Sequence, residues 1–250
     1  MAGDLLDNRG RGEAGWNWPA IHPEGRRIGL IVLVGALFFL LVLGWEMLGW
    51  PLLLGSVATF AFFRDPERVV PQVGGTVISP ADGHVVSIGQ VEVPRELVVE
   101  DGSGSMPLPA GQVTRISIFM SLFDVHINRA PIGGTVQRVV YVPGQFVSAN
   151  MDKASDSNER QHILIAGSDG TLIGMTQIAG LVARRIVPFV KRGDMIAAGQ
   201  RIGLIRFGSR VDVYLPRGTG ALVIKGQRVV AGETVLARTG EAQTIEGRRQ

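Results

Sequence analysis

The chain contains no cysteine, which excludes disulfides, thiolate nucleophiles and cysteine-ligated zinc and leaves the redox compartment open. Lysine is scarce: Lys153, Lys191 and Lys225 are the only three. A lysine-bound pyridoxal, or a lysine carrying lipoyl or biotin, therefore has three places to sit, and none lies in a recognisable pocket motif. Histidine is confined to His22, His84, His126 and His162; none of them is paired at a ligand spacing, so no metal site is expected. The net charge of +3 is scattered rather than gathered in a run, which argues against a nucleic-acid partner and suits an anionic lipid surface.

What is abundant is apolar sequence. Between Ile28 and Phe63 the only charge is Glu46, too little for a soluble core of that length. The run divides at Trp45-Glu46-Met47-Leu48-Gly49-Trp50-Pro51, whose tryptophans, carboxylate and proline mark an interface and a turn. Two helical segments of about 17 residues each result, just long enough for a thin bilayer or for a hairpin dipping into one. Arg26 and Arg27 precede the run and Arg64 and Arg68 follow it, so the positive-inside rule places both ends, and the domain beyond, on the cytoplasmic side of the cell membrane. An export signal would be shorter and followed by a small-residue cleavage site, which is missing. Residues 1–27 read as a flexible polar tail, 28–63 as a membrane anchor, and 64–250 as one globular domain.

That domain has mainly β texture. Short β-branched runs punctuated by glycine fall at Gly75–Ser79, His84–Ile88, Val113–Met120, Gly134–Tyr141, His162–Ala166 and Thr171–Met175. Further strands are expected at Arg185–Val190, Arg201–Phe207, Val211–Leu215 and Ala221–Ile224. Two phrases of similar turn chemistry recur, Val190–Gly203 and Ile224–Ala237, as in lipoyl- and biotinyl-type barrel-sandwich hairpins. The fold class expected is therefore mainly β (α+β), barrel-sandwich-like, behind an N-terminal helical hairpin. Residues 92–112 read as an excursion loop, and the charged stretch Ser148–Gln161 as a solvated loop or a substrate lid.

Four stretches set polar groups into apolar strand texture: Phe62-Phe63-Arg64-Asp65-Pro66-Glu67-Arg68, Ser79-Pro80-Ala81-Asp82-Gly83-His84, Phe123-Asp124-Val125-His126-Ile127-Asn128-Arg129-Ala130-Pro131, and Phe207-Gly208-Ser209-Arg210. Taken singly they are bland. Asp-Gly is a common turn pair, a strand histidine is more often core than catalytic, and a serine after glycine is uninformative. In this order and behind an apolar anchor, the chain resembles the phosphatidylserine decarboxylases of the short, single-domain kind.

The resemblance implies a self-processing enzyme that converts phosphatidylserine to phosphatidylethanolamine and carbon dioxide. Cleavage between Gly208 and Ser209 would give a large chain, 1–208, and a small chain, 209–250, that stay associated, and a homodimer is compatible with the pattern. Ser209 would become a pyruvoyl group, the only cofactor, which takes the substrate amine as a Schiff base; neither metal nor pyridoxal is called for. Asp82 falls on the family's aspartate and Ser209 on its serine, with His126 in the histidine stretch. Longer members have a second histidine where this chain has Arg129, so the histidine's work falls to His126 alone or is shared with Arg129. Arg64 and Arg129 are the candidate substrate-binding residues. Chemistry agrees, since a serine hydroxyl attacking the Gly208 carbonyl needs a base such as His126, oriented by a carboxylate such as Asp82. The alternative is a membrane-anchored barrel-sandwich adaptor or a lipoyl-type carrier, for which Met151-Asp152-Lys153-Ala154 would be the attachment turn. Lys153 there sits in a long charged stretch rather than a tight hairpin.

Overall fold

In a computed structural model, described for residues 18–98, 108–144, 158–180, 185–206, 209–245 and 247, the chain forms an apolar helical hairpin docked on a mostly β body. The first strand, β1 (Ala20–Ile21), is followed by α1 (Pro23–Leu37), a π-helical turn (Phe38–Val42) and α2 (Glu46–Phe62). Then come β2 (Arg64–Asp65), β3 (Thr76–Ile78), β4 (Gly83–Glu92), α3 (Arg95–Val98), β5 (Gln112–Met120), β6 (Ile127–Arg129) and β7 (Gly134–Val142). The remainder is β8 (Arg160–Ala166), β9 (Leu172–Ala179), β10 (Ile186–Pro188), β11 (Met195–Ile196), β12 (Arg201–Ile205), β13 (Ser209–Tyr214), β14 (Arg228–Val229) and β15 (Val235–Arg238).

The main sheet is antiparallel in the order β11-β7-β8-β9-β13-β5-β4-β14 and curls into a half-barrel; β10-β12-β6 and β15-β3 form smaller sheets beside it. Strand alternation sorts its residues. From β13, Val211 and Val213 join the main apolar core with Ile116, Ile118, Met120, Met175 and Ala179. The intervening Arg210, Asp212 and Tyr214 point to the other face, where Tyr214 packs with Leu97, Leu108 and Leu164.

An approximate two-fold relation organises the body. The segment Ile78–Val85 and the segment Arg129–Val136 exchange hydrogen bonds, with Ile78 N donating to Pro131 O at 2.9 Å and Arg129 N to Pro80 O at 2.8 Å. Each segment receives the matching phrase of the recurrent pair: Gly193 N donates to Val136 O (2.8 Å) as Gly226 N does to Val85 O (2.7 Å). Both halves turn into their strand through a positive-φ glycine, Gly83 and Gly134 (φ 147° and 157°). A Cβ there would lie 2.1 Å from Phe119 O and 2.0 Å from Ala166 O respectively, so only glycine fits. The relation breaks at one place of interest: Asp82 corresponds to Gly133.

Several expectations are corrected. Residues 18–27 are not a loose tail. Ala20 and Ile21 pair with Asp65 and Arg64, and α1 starts at Pro23, whose fixed φ suits a first helical position and which follows the cap residue His22. The apolar run thus marks where the helix becomes lipid-like, not where it begins. Pro51, expected with the turn, lies inside α2, where it forgoes one backbone hydrogen bond; the turn itself occupies residues 43–45. Pro23–Val42 is long and apolar enough to cross a bilayer, while α2 is shorter, at 17 residues. The two helices meet closely where Ser56 Oγ donates to Gly29 O at 2.9 Å.

Residues 221–224 form no strand. Leu222 N donates to Leu236 O and Ile245 N to Ala221 O, single bonds to different neighbours rather than a ladder, so a buried apolar run reads as β only because strand and buried turn share composition. The ends of the 92–112 loop belong to the core: α3 buries Leu97, whose carbonyl accepts from Leu108 N at 2.9 Å. Of the charged stretch, Ser148–Ser157 and with it Lys153 lie outside the described residues. Asn158 and Glu159 are buried, and Asn158 Nδ2 donates to Ala179 O at 2.7 Å. Strand β6 lies outside the expected strands, and β11, β14 and β15 fall in the two recurrent hairpin phrases; each has two to four residues, too few to show a period.

Candidate active site

Ser209 opens β13, the strand flanked by β5 and β9, opposite Met120 on one side and Ala179 on the other. It is fully buried, and its hydroxyl has no hydrogen-bond partner among the described residues. Leaving a hydroxyl in that condition costs about 1–3 kcal/mol, which folded proteins tolerate mainly where the group is used. Gly208, the other half of the expected cleavage site, lies outside the described residues.

His126 is also fully buried. Its ring lies 4.2 Å, centroid to centroid, from Phe62, and its Nδ1 donates to the carbonyl of Asp124 at 2.9 Å. That bond leaves Nε2 as the basic nitrogen. Burial drives the imidazole pKa down from 6.5 to about 4, with the Arg64 charge in the same direction and the Asp124 carbonyl and carboxylate opposing. At neutral pH the ring is uncharged and able to accept a proton. His126 is chained to the segment leading into Ser209, since its own carbonyl accepts from Ile205 N at 3.3 Å.

Asp82 is engaged elsewhere. Its carboxylate accepts from Arg68 Nη2 at 2.7 Å and from Ala231 N at 2.8 Å, so the structure brings Asp82 to Arg68 and not to His126. Asp82, Arg64, Arg68 and Val125 line one cleft of about 640 Å3, together with Trp18 and Pro19 at the base of the hairpin. Arg64 bridges the end of α2 to the turn before His126, donating to Ala61 O (2.7 Å) and to Phe123 O. Arg129 is buried and spends its guanidinium on Gly199 O and Pro66 O, both at 2.8 Å, and on Asp65 at 3.5 Å. It braces the frame behind the cleft.

Three contributors escape a reading of the sequence. Asp124 holds His126 through its backbone carbonyl, which every residue has and no motif advertises. Phe62 belongs by composition to the apolar run yet covers the imidazole. A buried amide chain, Gln161 to Gln177 (2.9 Å) to Asn128 (2.7 Å), ends on the Met120 sulfur opposite Ser209; only its polar residues inside strand runs hint at it. Among the described residues no group of His, Asp and Glu is placed to hold a metal ion.

Fold and site define a mostly β protein with a curled half-barrel sheet and an apolar hairpin, in which a buried serine without a hydroxyl partner among the described residues opens a central strand. A family model described as phosphatidylserine decarboxylase matches residues 57–237. The chain is 63% identical over its whole length to the phosphatidylserine decarboxylase proenzyme of Erythrobacter litoralis, which it also covers completely. It is 61% identical over 99% of its length to that of Novosphingobium aromaticivorans (98% of the relative covered), and 48% identical over 87% to that of Ruegeria pomeroyi (94% covered). The chain belongs to the phosphatidylserine decarboxylase family.

Proposed function

We propose that the protein is a proenzyme that cuts itself between Gly208 and Ser209 and then decarboxylates phosphatidylserine to phosphatidylethanolamine at the membrane surface. The observation that carries this reading is the buried Ser209 hydroxyl, without a partner among the described residues, at the residue where the family resemblance places the nucleophile.

In processing, His126 Nε2 takes the hydroxyl proton as Ser209 Oγ bonds to the Gly208 carbonyl carbon. The amide C–N bond breaks, leaving an ester and a free amine on residue 209. Removal of the residue 209 α-proton then expels the Gly208 carboxylate, and water releases ammonia from the remaining enamine, leaving a ketone. The strand is suited to this, because β13 is hydrogen-bonded on both edges along Ser209–Tyr214 and stays in the sheet when its N-terminal peptide bond is cut. The 42-residue small chain remains seated for the same reason.

The pyruvoyl group so made supplies an electron-accepting ketone for the substrate amine during loss of carbon dioxide. The protein's own part is placement. Arg64 and Arg68, in the cleft beside the hairpin, suit the headgroup phosphate. Asp82 acts by fixing Arg68 and the Ala231 turn. The neutral His126 is kept able to move a proton at Nε2. Arg26, Arg27, Arg64 and Arg68 flank the hairpin on one side, which supports a cytoplasmic placement of the β body.

Intact mass spectrometry of the purified protein, with and without a carbonyl reagent, tests the proposal. Two chains are expected, the smaller starting at residue 209, blocked to N-terminal sequencing and gaining the reagent's mass. A single chain, or a small chain with a readable N-terminal serine, would overturn it.

A further inference from the structure

The turn between β5 and β6 exposes Leu122 and Phe123, the latter 86% exposed. A flexible loop would fold such a ring back, but this one is tied. Asp124 Oδ2 accepts from Ser121 N (2.9 Å) and Ser121 Oγ (2.6 Å), Asp124 N donates to Ser121 O (3.0 Å), and Arg228 Nη2 reaches Asp124 Oδ1 at 3.3 Å. The two apolar residues are thus held outward at the middle of a closed turn whose acid is itself buried. Single exposed hydrophobes are ordinary. An adjacent pair fixed in place and flanked by two arginines is not.

Its position identifies the partner. Arg64, the residue after the hairpin, donates to the Phe123 carbonyl, so the turn is continuous with the base of the hairpin. Arg64 and the largely exposed Arg228 side chain stand beside the apolar tip, the combination of aromatic residue and cations that settles at the boundary of headgroups and acyl chains. We propose that the Leu122–Phe123 turn is a second membrane contact, inserted into the leaflet on which the hairpin base rests. This rests on the reading of the protein as a membrane-surface enzyme and deepens it. Because Asp124 in the same turn holds the His126 tautomer and Arg64 lines the cleft, seating the turn brings the lipid plane to the mouth of the site.

The absence of cysteine makes the test clean. Phe123→Cys and Ser168→Cys would each carry a nitroxide label in the full chain, in vesicles of phosphatidylcholine and phosphatidylglycerol without substrate. Ser168 is exposed in the β8–β9 turn, at the opposite end of β9 from Ala179, about 25 Å along the sheet. Power saturation is expected to show the label at 123 favouring oxygen, as in lipid, and that at 168 favouring an aqueous nickel complex. In parallel, the double variant Leu122→Ser/Phe123→Ser should raise the phosphatidylserine mole fraction for half-maximal rate roughly tenfold, the effect of losing most of one large apolar side chain's burial. A nickel-accessible label at 123, or an unchanged half-saturation, would overturn the contact. Wild-type protein that releases no carbon dioxide would instead overturn the decarboxylase reading and leave the depth measurement standing by itself.

Discussion

Phe62, the last residue of the apolar hairpin, covers His126: their ring centroids are 4.2 Å apart and the planes are inclined by 35°. Both are buried, and Phe62 belongs to a cluster with Phe63, Val125, Ile127 and Leu204, with Ile21 from the first strand at its edge. The boundary between apolar hairpin and β body, so plain in composition at Phe63, therefore passes through packed side chains. The hairpin's final turn helps desolvate the imidazole that the proposed chemistry needs neutral.

Phe62→Ala should cost about 3–5 kcal/mol of stability, typical of a buried phenylalanine. It should also slow self-cleavage by admitting water to His126. A chain beginning at Asp65 loses Phe62, Phe63 and Ile21 together and should accumulate uncut, whereas one beginning at Trp18 should process normally. Gel analysis of the cut fraction over time, with thermal melts, checks each. Wild-type processing from a chain starting at Asp65 would show that the hairpin only delivers substrate.

Ser209→Ala removes the orphaned hydroxyl and little else. The variant should remain a single 26.8 kDa chain and release no carbon dioxide. It also sheds a desolvation penalty of about 1–3 kcal/mol with the oxygen.

The strand content, the apolar helical hairpin and the order of the four polar stretches were legible in the sequence, because period, length and spacing are local properties. What held the site together was less so. That Asp82 meets Arg68 depends on the cleft closing across residues 14 apart, and that Phe62 meets His126 depends on a hairpin docking onto a sheet. The pseudo-two-fold shows the same limit. The phrases around Gly193 and Gly226 are visible as a repeat, whereas their partners around Gly83 and Gly134 match in backbone shape more than in side chains, and only the exchange of hydrogen bonds reveals them.

Asp82→Asn tests whether the carboxylate acts through charge or through shape. Asparagine keeps an oxygen for Ala231 N but leaves Arg68, among the described residues, with the more distant Glu233 at 3.9 Å. If the carboxylate acts by holding Arg68, cleavage should continue, with a loss of about 1–3 kcal/mol for the weakened hydrogen-bonded pair and a KM for phosphatidylserine raised more than kcat is lowered, as for Arg68→Gln. Uncut precursor from Asp82→Asn beside normal cutting by Arg68→Gln would give the carboxylate a part in processing that its bond to Arg68 does not explain.

The last prediction concerns acid. Burial holds His126 at about 4, and His162, packed against Thr176 at 2.8 Å, also at about 4. In the unfolded chain both titrate near the ordinary value of about 6.5. Between pH 6.5 and 4 the unfolded state therefore binds more protons than the folded one, and stability must fall as the pH falls. The loss has a limiting slope of about 1.4 kcal/mol per pH unit for each histidine and ends once the folded-state value is passed. Above pH 6.5 neither group contributes a slope. In the uncut Ser209→Ala protein, denaturant melts from pH 7.5 to 4.5 should show this onset near 6.5, and replacing His162 with Gln should remove about half of it. His126 itself, followed by its ring proton resonances, should stay neutral through pH 5.5. A midpoint near 6.5 would mean that water reaches the imidazole, and the assignment of His126 as a buried, neutral base would fall.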